Sequence, residues 1–276
     1  MARDMKVVIS CPTHNNIKYT KLFLGSIKCS YPYEILVIDN GSSDETPKYL
    51  KENNINHIGY KENRGFSYAY NDAIDYTFKN QDDLLLFCGN DTVFRPTSID
   101  FMVKGMMETD YEMLCGNEVL SRDILKENVE ALENFNYDFS FDDKVYTELM
   151  ISPTGMNHSC LIRRKSVIDK IGYYDTSFYP AYFEDNDYAR RCDLLDIKYG
   201  TVLSATFYHF WSRTIHEGGL RELNDVRFSI NRKYYELKWG GLVGKEEYNK
   251  PFGCGDIKIS NRSEEEPYLR KLGVLK

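Results

Sequence analysis

Short apolar runs alternate with helix-length segments over the first 115 residues of the chain. Strands are predicted at 6–10, 34–39, 56–60, 84–88 and 112–115, where apolar runs are bounded by polar or turn-forming residues. Helices are predicted near 19–28, at 67–78 and at 97–107. A further helix is predicted after Asp44, which can cap it, with Pro47 in its first turn. Strands that alternate with helices indicate an α/β protein with a mostly parallel central sheet flanked by helices.

The alternation breaks off after residue 120. The acidic segment 122–148 has aromatic residues at every second position from Phe135 to Phe141, which places four rings on one face of a strand. This pattern favours a small β-ribbon packed on the body of the protein, and a dimer surface is an alternative. Beyond it, strands are predicted at 158–163 and 198–203, and helices at 165–171, 188–195 and 220–237. Gly240 and Gly241 supply the stop of the last helix.

The composition narrows the class of protein. With 276 residues, 42% hydrophobic and 28% charged, the chain is typical of a soluble globular protein with one large domain or two small ones. A formal net charge of −7 does not favour non-specific binding to nucleic acids, which depends on positive charge that neutralises phosphates. No apolar run approaches the roughly 20 residues of a membrane span, and the first residues lack the apolar core of a signal peptide. Seven scattered cysteines without a CxxC pair predict reduced thiols and a cytoplasmic protein.

Two acidic positions carry the candidate chemistry. Asp91 follows the apolar run 84–88, so its carboxylate is expected beyond the carboxyl end of a strand, where ligands bind in open α/β sheets. A carboxylate there, together with phosphate oxygens, is a typical environment for Mg²⁺ or Mn²⁺. Later in the chain, Glu184, Asp185 and Asp187 open a helix-like run. One carboxylate to hold a metal and another to take a proton are the minimum parts for metal-assisted group transfer, although a turn acid and helix N-terminal acids are the plainer alternative.

Six separated segments place these acids in a wider pattern. In chain order they are Cys11-Pro12-Thr13-His14-Asn15, Val37-Ile38-Asp39-Asn40-Gly41-Ser42-Ser43-Asp44-Glu45-Thr46, Asn63-Arg64-Gly65-Phe66 with Asn71, Asn90-Asp91-Thr92, Glu184-Asp185-Asn186-Asp187, and His209. In this order and spacing they resemble the inverting family 2 glycosyltransferases of the GT-A fold, in their rhamnosyltransferase-like subgroup, over about residues 5–240.

This resemblance implies a single GT-A domain over residues 1–250. Its nucleotide-sugar-binding half is 1–117, its acceptor and catalytic half is 118–219, and a C-terminal helix occupies 220–250. The Gly- and charge-rich tail 251–276 is expected to be loosely held.

The resemblance also implies roles for single residues. The nucleotide-sugar donor would contact Thr13, Asn15, Asp39, Asn63, Arg64, Gly65, Asn71, Asn90 and Asp91. Asp91 and His209 would hold Mn²⁺ or Mg²⁺, and Asp185, beside Glu184, would be the general base that deprotonates the acceptor hydroxyl. The chain departs from the family at Gly89, where the family usually has Asp or Asn, and this puts tight metal binding in doubt.

Physical chemistry agrees with part of this assignment. Asp39 stands at a strand end, and its carboxylate can accept a hydrogen bond from a pyrimidine imide N–H or a ribose hydroxyl. The plainer alternatives are a turn-forming acid for Asp39, a solvated cation for Arg64 and a hydrogen-bonded core histidine for His209.

The leading hypothesis is an enzyme that moves a sugar from a UDP- or dTDP-sugar to a hydroxyl acceptor with inversion. A catalytically silent nucleotide-sugar-binding module is an alternative, and Gly89 gives it slight support. A nucleotidyltransferase is a third, but the segment 12–16 lacks the Gly-rich basic loop that this class needs. A polysaccharide, a protein glycan, a small metabolite or modified DNA could be the acceptor, and the alternating rings at 135–141 would suit a sugar.

Overall fold

A computed structural model describes residues 5–80, 82–119, 146–211 and 219–260 of the chain. The β-ribbon predicted within 122–148 therefore falls almost entirely outside the described residues, as does the end of the predicted tail, 261–276. Among the helices of the described ranges, none combines the length and the apolar character that a membrane span needs.

The first half of the chain alternates strands and helices, as its sequence pattern predicts. Its elements are β1 (Val7–Thr13), α1 (Ile17–Ser26), β2 (Tyr33–Asp39), α2 (Thr46–Glu52), β3 (His57–Gly59), α3 (Phe66–Lys79), β4 (Leu84–Cys88), β5 (Thr92–Phe94), α4 (Ser98–Glu108) and β6 (Met113–Glu118).

Among the described residues, the second half of the chain contributes fewer strands than the first and the longest helix. Its elements are β7 (Ile151–Ser152), β8 (Cys160–Arg164), α5 (Lys165–Ile171), α6 (Glu184–Leu194), β9 (Tyr199–His209), α7 (Arg221–Trp239) and a 3₁₀ turn at Pro251–Gly253. Helix α7 ends at Gly240, which adopts a left-handed conformation, as the predicted glycine stop requires.

The described strands form one mixed sheet in the order β3-β2-β1-β4-β8-β6-β9-β5, with β7 paired to β9. The pairings β3-β2, β2-β1, β1-β4 and β6-β9 are parallel, whereas β8 is antiparallel to both of its neighbours. Strands β1, β2, β3, β4, β6 and β9 therefore all run in one direction, which confirms the mostly parallel sheet. Their carboxyl ends meet at one edge, where ligands bind in such sheets.

The sheet is buried on both faces. Alternate residues of β1 enter different cores, with Val7 and Ile9 in one and Val8 in the other. The first core is covered by α1, α2 and α4, and the second by α3, α5 and α6. Burial on both faces explains why β4 reads as the unbroken apolar run Leu84–Cys88.

Two elements extend further than their sequence patterns predict. Helix α6 begins at Glu184 rather than at 188, because acidic side chains are favourable in the first turn of a helix. Strand β9 continues past 203 to His209, since its second part pairs with β5. β5 and β7, of three and two residues, are too short to show a periodic pattern and were not predicted.

The predicted cap of α2 needs a correction. Glu45 rather than Asp44 occupies the N-cap position, without a side-chain cap bond. The Asp44 carboxylate instead accepts the backbone N–H of Thr46 at 2.9 Å and that of Ile17 at 3.2 Å. Asp44 therefore joins the starts of α1 and α2.

The part of the tail that the structure describes is fixed to the body of the protein. Ile259 is buried, and its strand-like bridge to Gly172 is parallel. The expectation of a loosely held tail is therefore wrong for this stretch.

Candidate active site

Two adjoining clefts open at the carboxyl ends of the parallel strands. The larger, about 720 Å³ and open to solvent, brings together Asp91, His209, Glu184 and Asp185. The smaller, about 320 Å³, is lined by residues that include Thr13, His14, Asn40 and Asn63. Phe66 and Ala181 line both clefts, so the two clefts are neighbours. An extended ligand could reach from one to the other.

Strand β5 brings His209 next to Asp91. In the antiparallel pairing of β5 with β9, Thr92 stands opposite His209, and the N–H of Phe210 donates to the carbonyl of Asp91 at 2.9 Å. The imidazole Nε2 of His209 lies 3.2 Å from Oδ1 of Asp91, and its Nδ1 lies 3.6 Å from Oε1 of Glu118. The structure thus brings together two residues that the sequence separates widely.

The charges around His209 favour its protonated form. Burial alone would lower the pKa of the imidazole, but the carboxylates of Asp91 and Glu118 outweigh it and raise the pKa to about 10. Burial likewise opposes ionisation of Glu118, yet hydrogen bonds from His209 and Asn157 hold the pKa of its carboxyl below the usual value. Glu118 was not predicted, because it ends a short strand and no motif contains it.

Gly89 makes room for the Asp91 carboxylate. A Cβ built on Gly89 would lie 2.7 Å from Oδ1 of Asp91, closer than real Cβ contacts allow. The same oxygen faces His209. The departure from the family motif at Gly89 therefore does more than remove a possible ligand, because it permits the conformation in which Asp91 and His209 meet.

The donor set at this point fits a divalent cation that also takes ligands from a bound diphosphate. Asp91 supplies carboxylate oxygens, and His209 supplies a ring nitrogen that can serve once it is deprotonated. Within the ranges that the structure describes, no three histidine, cysteine or acidic side chains form a complete metal cage. Mn²⁺ or Mg²⁺ bound by one or two protein groups, phosphate oxygens and water needs no such cage.

Glu184 and Asp185 differ in their environment although they are adjacent. The Glu184 side chain is buried, and its Oε2 has no hydrogen-bond partner among the described residues. Burial raises the pKa of Glu184 well above the usual value, and the charges of Asp185 and Asp187 add to this effect. Asp185 is only partly buried, and the N–H of Asn186 donates to its Oδ1 at 2.8 Å. Burial also raises the pKa of Asp185, against the effect of this backbone bond.

Of the predicted donor-binding residues, Thr13 and Asn63 line the smaller cleft and Asn90 lines the larger one. Thr13 lies within hydrogen-bond distance of Thr20, with 2.8 Å between the hydroxyl oxygens, and the Asn90 amide donates to both hydroxyls at 3.2 and 3.1 Å. Asn63 lines the cleft, and its Oδ1 accepts the N–H of Gly65 at 2.8 Å. These side chains are held in place before any ligand binds.

Asn15 and Asp39 support the loop above the smaller cleft rather than lining it. The Asn15 side-chain carbonyl accepts the N–H groups of Ser43 and Asp44 at 2.8 and 3.3 Å. Asp39 is 4% exposed, and its Oδ1 accepts the N–H of Ser42 at 3.0 Å. The turn-forming role considered for Asp39 is therefore present.

Arg64, Gly65 and Asn71 flank the clefts without lining them. The guanidinium of Arg64 lies over the rings of Tyr68 and Tyr60, at 4.0 and 5.2 Å from their centroids. Gly65 has φ +84°, and a Cβ there would lie 3.0 Å from the carbonyl oxygen of Pro180. This close approach seats the chain around Pro180 against the start of α3.

Asn71 needs a correction. It is fully buried, and its amide is bonded to the backbone of Tyr174 in both directions, at 2.9 and 2.8 Å. A side chain enclosed in this way has no access to a nucleotide, so Asn71 joins α3 to the loop that follows α5 instead of binding the donor.

Asn40 is a candidate site residue that the residue assignments missed, although it follows Asp39 within the second motif. Its Oδ1 accepts the N–H of Arg64 at 2.7 Å, and its Nδ2 donates to the carbonyl of Gly65 at 3.2 Å. Asn40 also lines the smaller cleft. It therefore links the end of β2 to the turn that opens α3.

The family model for glycosyl transferase family 2 matches residues 8–171, which include β1 to β8 and the Asp91 region. The chain belongs to glycosyl transferase family 2. The match ends before Glu184, so the assignment of the second acidic cluster does not rest on it. A search of the curated proteins finds no match to this family member.

Solved structures share the fold of this family 2 protein. The TarS 1-349 structure from S. aureus aligns with a TM-score of 0.55 and 17% identity, over 81% of this chain and 65% of that one. The mannosyltransferase PcManGT from Pyrobaculum calidifontis, in complex with GDP-Man and Mn²⁺, aligns with a TM-score of 0.57 and 15% identity, over 86% and 63%. TarS 1-349 in complex with UDP aligns with a TM-score of 0.52 and 16% identity, over 85% and 71%.

These likenesses confirm a GT-A fold. The chain spans 65% and 63% of the first two of these structures, slightly less than two thirds of each.

Proposed function

We propose that this protein transfers a hexosyl or deoxyhexosyl group from a nucleoside diphosphate sugar to a hydroxyl acceptor, with inversion at the anomeric carbon. The observation that carries the proposal is the common cleft of Asp91, His209, Glu184 and Asp185. The proposed metal ligands, Asp91 and His209, and the proposed base would then share one space. The proposed catalytic unit is a single domain over 1–250, with donor binding in 1–117 and acceptor binding in 118–219.

The donor would lie across both clefts. The base and ribose would occupy the smaller cleft near Thr13 and Asn63, and the diphosphate would approach Asp91 and His209. A bound Mn²⁺ or Mg²⁺ would offset the negative charge of the diphosphate as it leaves. When no metal is bound to it, His209 in its protonated form would instead donate a hydrogen bond to a phosphate oxygen.

Asp185 is the proposed general base. The acceptor oxygen attacks the anomeric carbon, its proton passes to the Asp185 carboxylate, and the bond from that carbon to the diphosphate oxygen breaks. One displacement on the face opposite the leaving group inverts the configuration. Asp185 suits this role because its carboxylate is partly exposed to the cleft. The pKa raised by burial makes it a better proton acceptor than an exposed carboxylate. Glu184 is buried beside it, and its protonated carboxyl group would form a hydrogen bond with the acceptor.

A thermal-shift panel tests the donor site. UDP-, dTDP- and GDP-sugars would each be added with and without Mn²⁺. GDP-mannose is included because PcManGT binds it, and a dTDP-deoxyhexose because the motifs resemble the rhamnosyltransferase-like subgroup. One nucleotide class should raise the melting temperature by roughly 5 °C or more with Mn²⁺ at saturating concentration.

Two variants make the panel specific. Asp91→Asn should lose the Mn²⁺-dependent part of the shift, while Asp169→Asn, an exposed acid on α5, should retain it. The absence of any shift with every nucleotide, or an undiminished shift in Asp91→Asn, would contradict the proposed donor site.

A further inference from the structure

The loop before the catalytic acids has an unusual backbone. Tyr182 and Phe183 have φ values of +75° and +73°, immediately before the start of α6 at Glu184. Bulky residues rarely adopt left-handed conformations, and two in succession persist only when surrounding groups hold them. Ala181 and Tyr182 line the larger cleft together with Glu184 and Asp185. The conformation of this loop therefore determines how the side chains of Glu184 and Asp185 are oriented in the cleft.

Asn231 of α7 holds this loop from beneath. It is 2% exposed, and its Nδ2 donates to the carbonyl oxygens of Tyr179, Ala181 and Tyr182 at 3.2, 2.9 and 3.2 Å. Its Oδ1 accepts the N–H of Tyr179 at 3.4 Å. A single buried amide thus bonds to four backbone groups of the loop. No other residue type combines two donor hydrogens and a carbonyl acceptor at this side-chain length.

The opposite side of the loop rests on the first half of the chain. The N–H of Phe66 donates to the carbonyl of Pro180 at 2.9 Å, and the Tyr179 hydroxyl donates to the carbonyl of Asn63 at 3.2 Å. The loop is therefore held between α7 and the turn that lines the smaller cleft.

Helix α7 is itself anchored to α6. The ammonium of Lys238 lies 2.9 Å from carboxylate oxygens of both Asp175 and Asp187. The indole N–H of Trp239 also donates to Asp187 at 2.9 Å. Lys238, Asp187 and Trp239 are completely buried, and Asp187 belongs to the first turn of α6. Asn231 therefore projects from a helix whose position relative to the catalytic turn is fixed.

We propose that Asn231 is a positioning residue for sugar transfer, which sets the backbone of 179–183 so that Asp185 faces the acceptor hydroxyl. The inference rests on the proposed function, because it assigns Asn231 to the base of that reaction. Asn231 does not line the clefts and acts through the loop. Its loss should therefore slow the chemical step while donor binding at Asp91 remains.

The test is a comparison of kcat and KM in Asn231→Ala, Asn231→Ser and Tyr234→Phe. Tyr234→Phe is the matched control, because it removes one buried hydrogen bond of α7, from the Tyr234 hydroxyl to Asp175 at 2.8 Å, and leaves the 179–183 loop bonded. All rates would be measured well below each melting temperature and normalised to folded protein.

Asn231→Ala should lower kcat about 100-fold, the size of effect expected when a reacting group is misplaced by about 1 Å. The KM for the nucleotide sugar should stay within about twofold. Asn231→Ser, which keeps one hydroxyl, should fall between Asn231→Ala and the wild type, while Tyr234→Phe should keep a kcat close to wild type.

A kcat of Asn231→Ala within threefold of that of Tyr234→Phe would overturn the positioning role, and so would equal rises in KM in both variants. If Asn231→Ala does not fold, Asn231→Ser decides by the same comparison. A wild-type protein that turns over no nucleotide sugar would instead refute the proposed function, so the two failures are distinguishable.

Discussion

The two halves of the cleft share one kind of interaction and differ in another. In the first half, residues 5–119, polar side chains of the site bind backbone groups of neighbouring loops, as Asn15 does with Ser43 and Asn40 with Arg64. In the second half, residues 146–260, Asn231 makes bonds of the same kind to the 179–183 loop, and buried charge pairs are added, such as Lys238 with Asp187 at the start of α6.

The difference in burial has energetic consequences. Lys6 of the first half contacts Glu34 and Asp82, but about a third of its side chain is exposed to solvent. Lys238 contacts its two carboxylates with no exposure at all. Water can replace a lost partner in the first case and has no access in the second. Fully buried charge pairs therefore add to the order of the second half, whereas the charge pairs of Lys6 in the first half are partly exposed.

The largest effect is expected for the proposed base. Asp185→Asn should lower kcat about 1000-fold, because it removes general-base catalysis, with little change in the KM for the donor. Asp193→Asn, at the exposed end of the same helix, should retain nearly full activity. Initial rates of nucleoside diphosphate release measure both variants. A loss of less than tenfold in Asp185→Asn would remove this residue from the role of base.

Buried Lys238 and partly exposed Lys6 allow a direct comparison of what each charge pair contributes to the free energy of unfolding. Lys238→Met should lower the free energy of unfolding by about 3–5 kcal/mol, because Asp175 and Asp187 lose their shared cation. Lys6→Met should lower it by about 1 kcal/mol or less. Urea unfolding of both variants gives the two values. Equal losses would show that buried charge pairing does not distinguish the two halves.

Two glycines of the first half test how tightly the halves meet. Gly65→Ala should destabilise the protein by about 2 kcal/mol, because φ is +84° and the new Cβ would press on Pro180. Gly59→Ala is the matched control, since nothing lies within 4 Å of its Cβ position, and it should change stability by about 0.5 kcal/mol at most. If the two variants melt at the same temperature, the contact at Pro180 contributes nothing.

The pH dependence of stability should have opposite signs for Glu184 of the second half and Glu34 of the first half. Burial raises the pKa of Glu184, so its contribution to stability is complete below the unfolded-state pKa and is lost as the pH rises through the folded-state pKa. Glu184→Gln should therefore increase the free energy of unfolding at pH 8 by on the order of 1 kcal/mol.

A hydrogen bond from Tyr76 lowers the pKa of Glu34, and burial opposes this with a smaller effect. Its contribution is present above the unfolded-state pKa and is lost as the pH falls through the folded-state pKa. Glu34→Gln should therefore destabilise the protein at pH 8 and approach the wild type in acid. Chemical unfolding at several pH values measures both variants, and a shared sign at pH 8 would contradict the comparison.

Site positions at strand ends are easier to predict from the sequence than positions whose partners are set by packing. Thr13 and Asp91 stand at or beside strand ends, so the apolar runs locate them, and Asn63 precedes a helix that its periodicity predicts. Asn71 was predicted to bind the donor from its position near a motif, and that position does not show that its side chain is buried.

Asn231 lies in the middle of a polar helix and carries no motif. Its partners are about fifty residues away in the chain, so only the packing of α7 against the loop reveals it. Glu118 is similar, because its contact with His209 depends on the pairing of strands β6 and β9.

Identification of the nucleotide product tests the central claim most directly. The wild-type protein would be incubated with the nucleotide sugar that binds best, Mn²⁺ and a set of hydroxyl acceptors, and the released phosphates would be separated and quantified. The account predicts nucleoside diphosphate in equal amount to the glycosylated acceptor. Pyrophosphate release would indicate a nucleotidyltransferase, and donor binding without turnover of any acceptor would indicate a silent binding module. Either result would contradict the account.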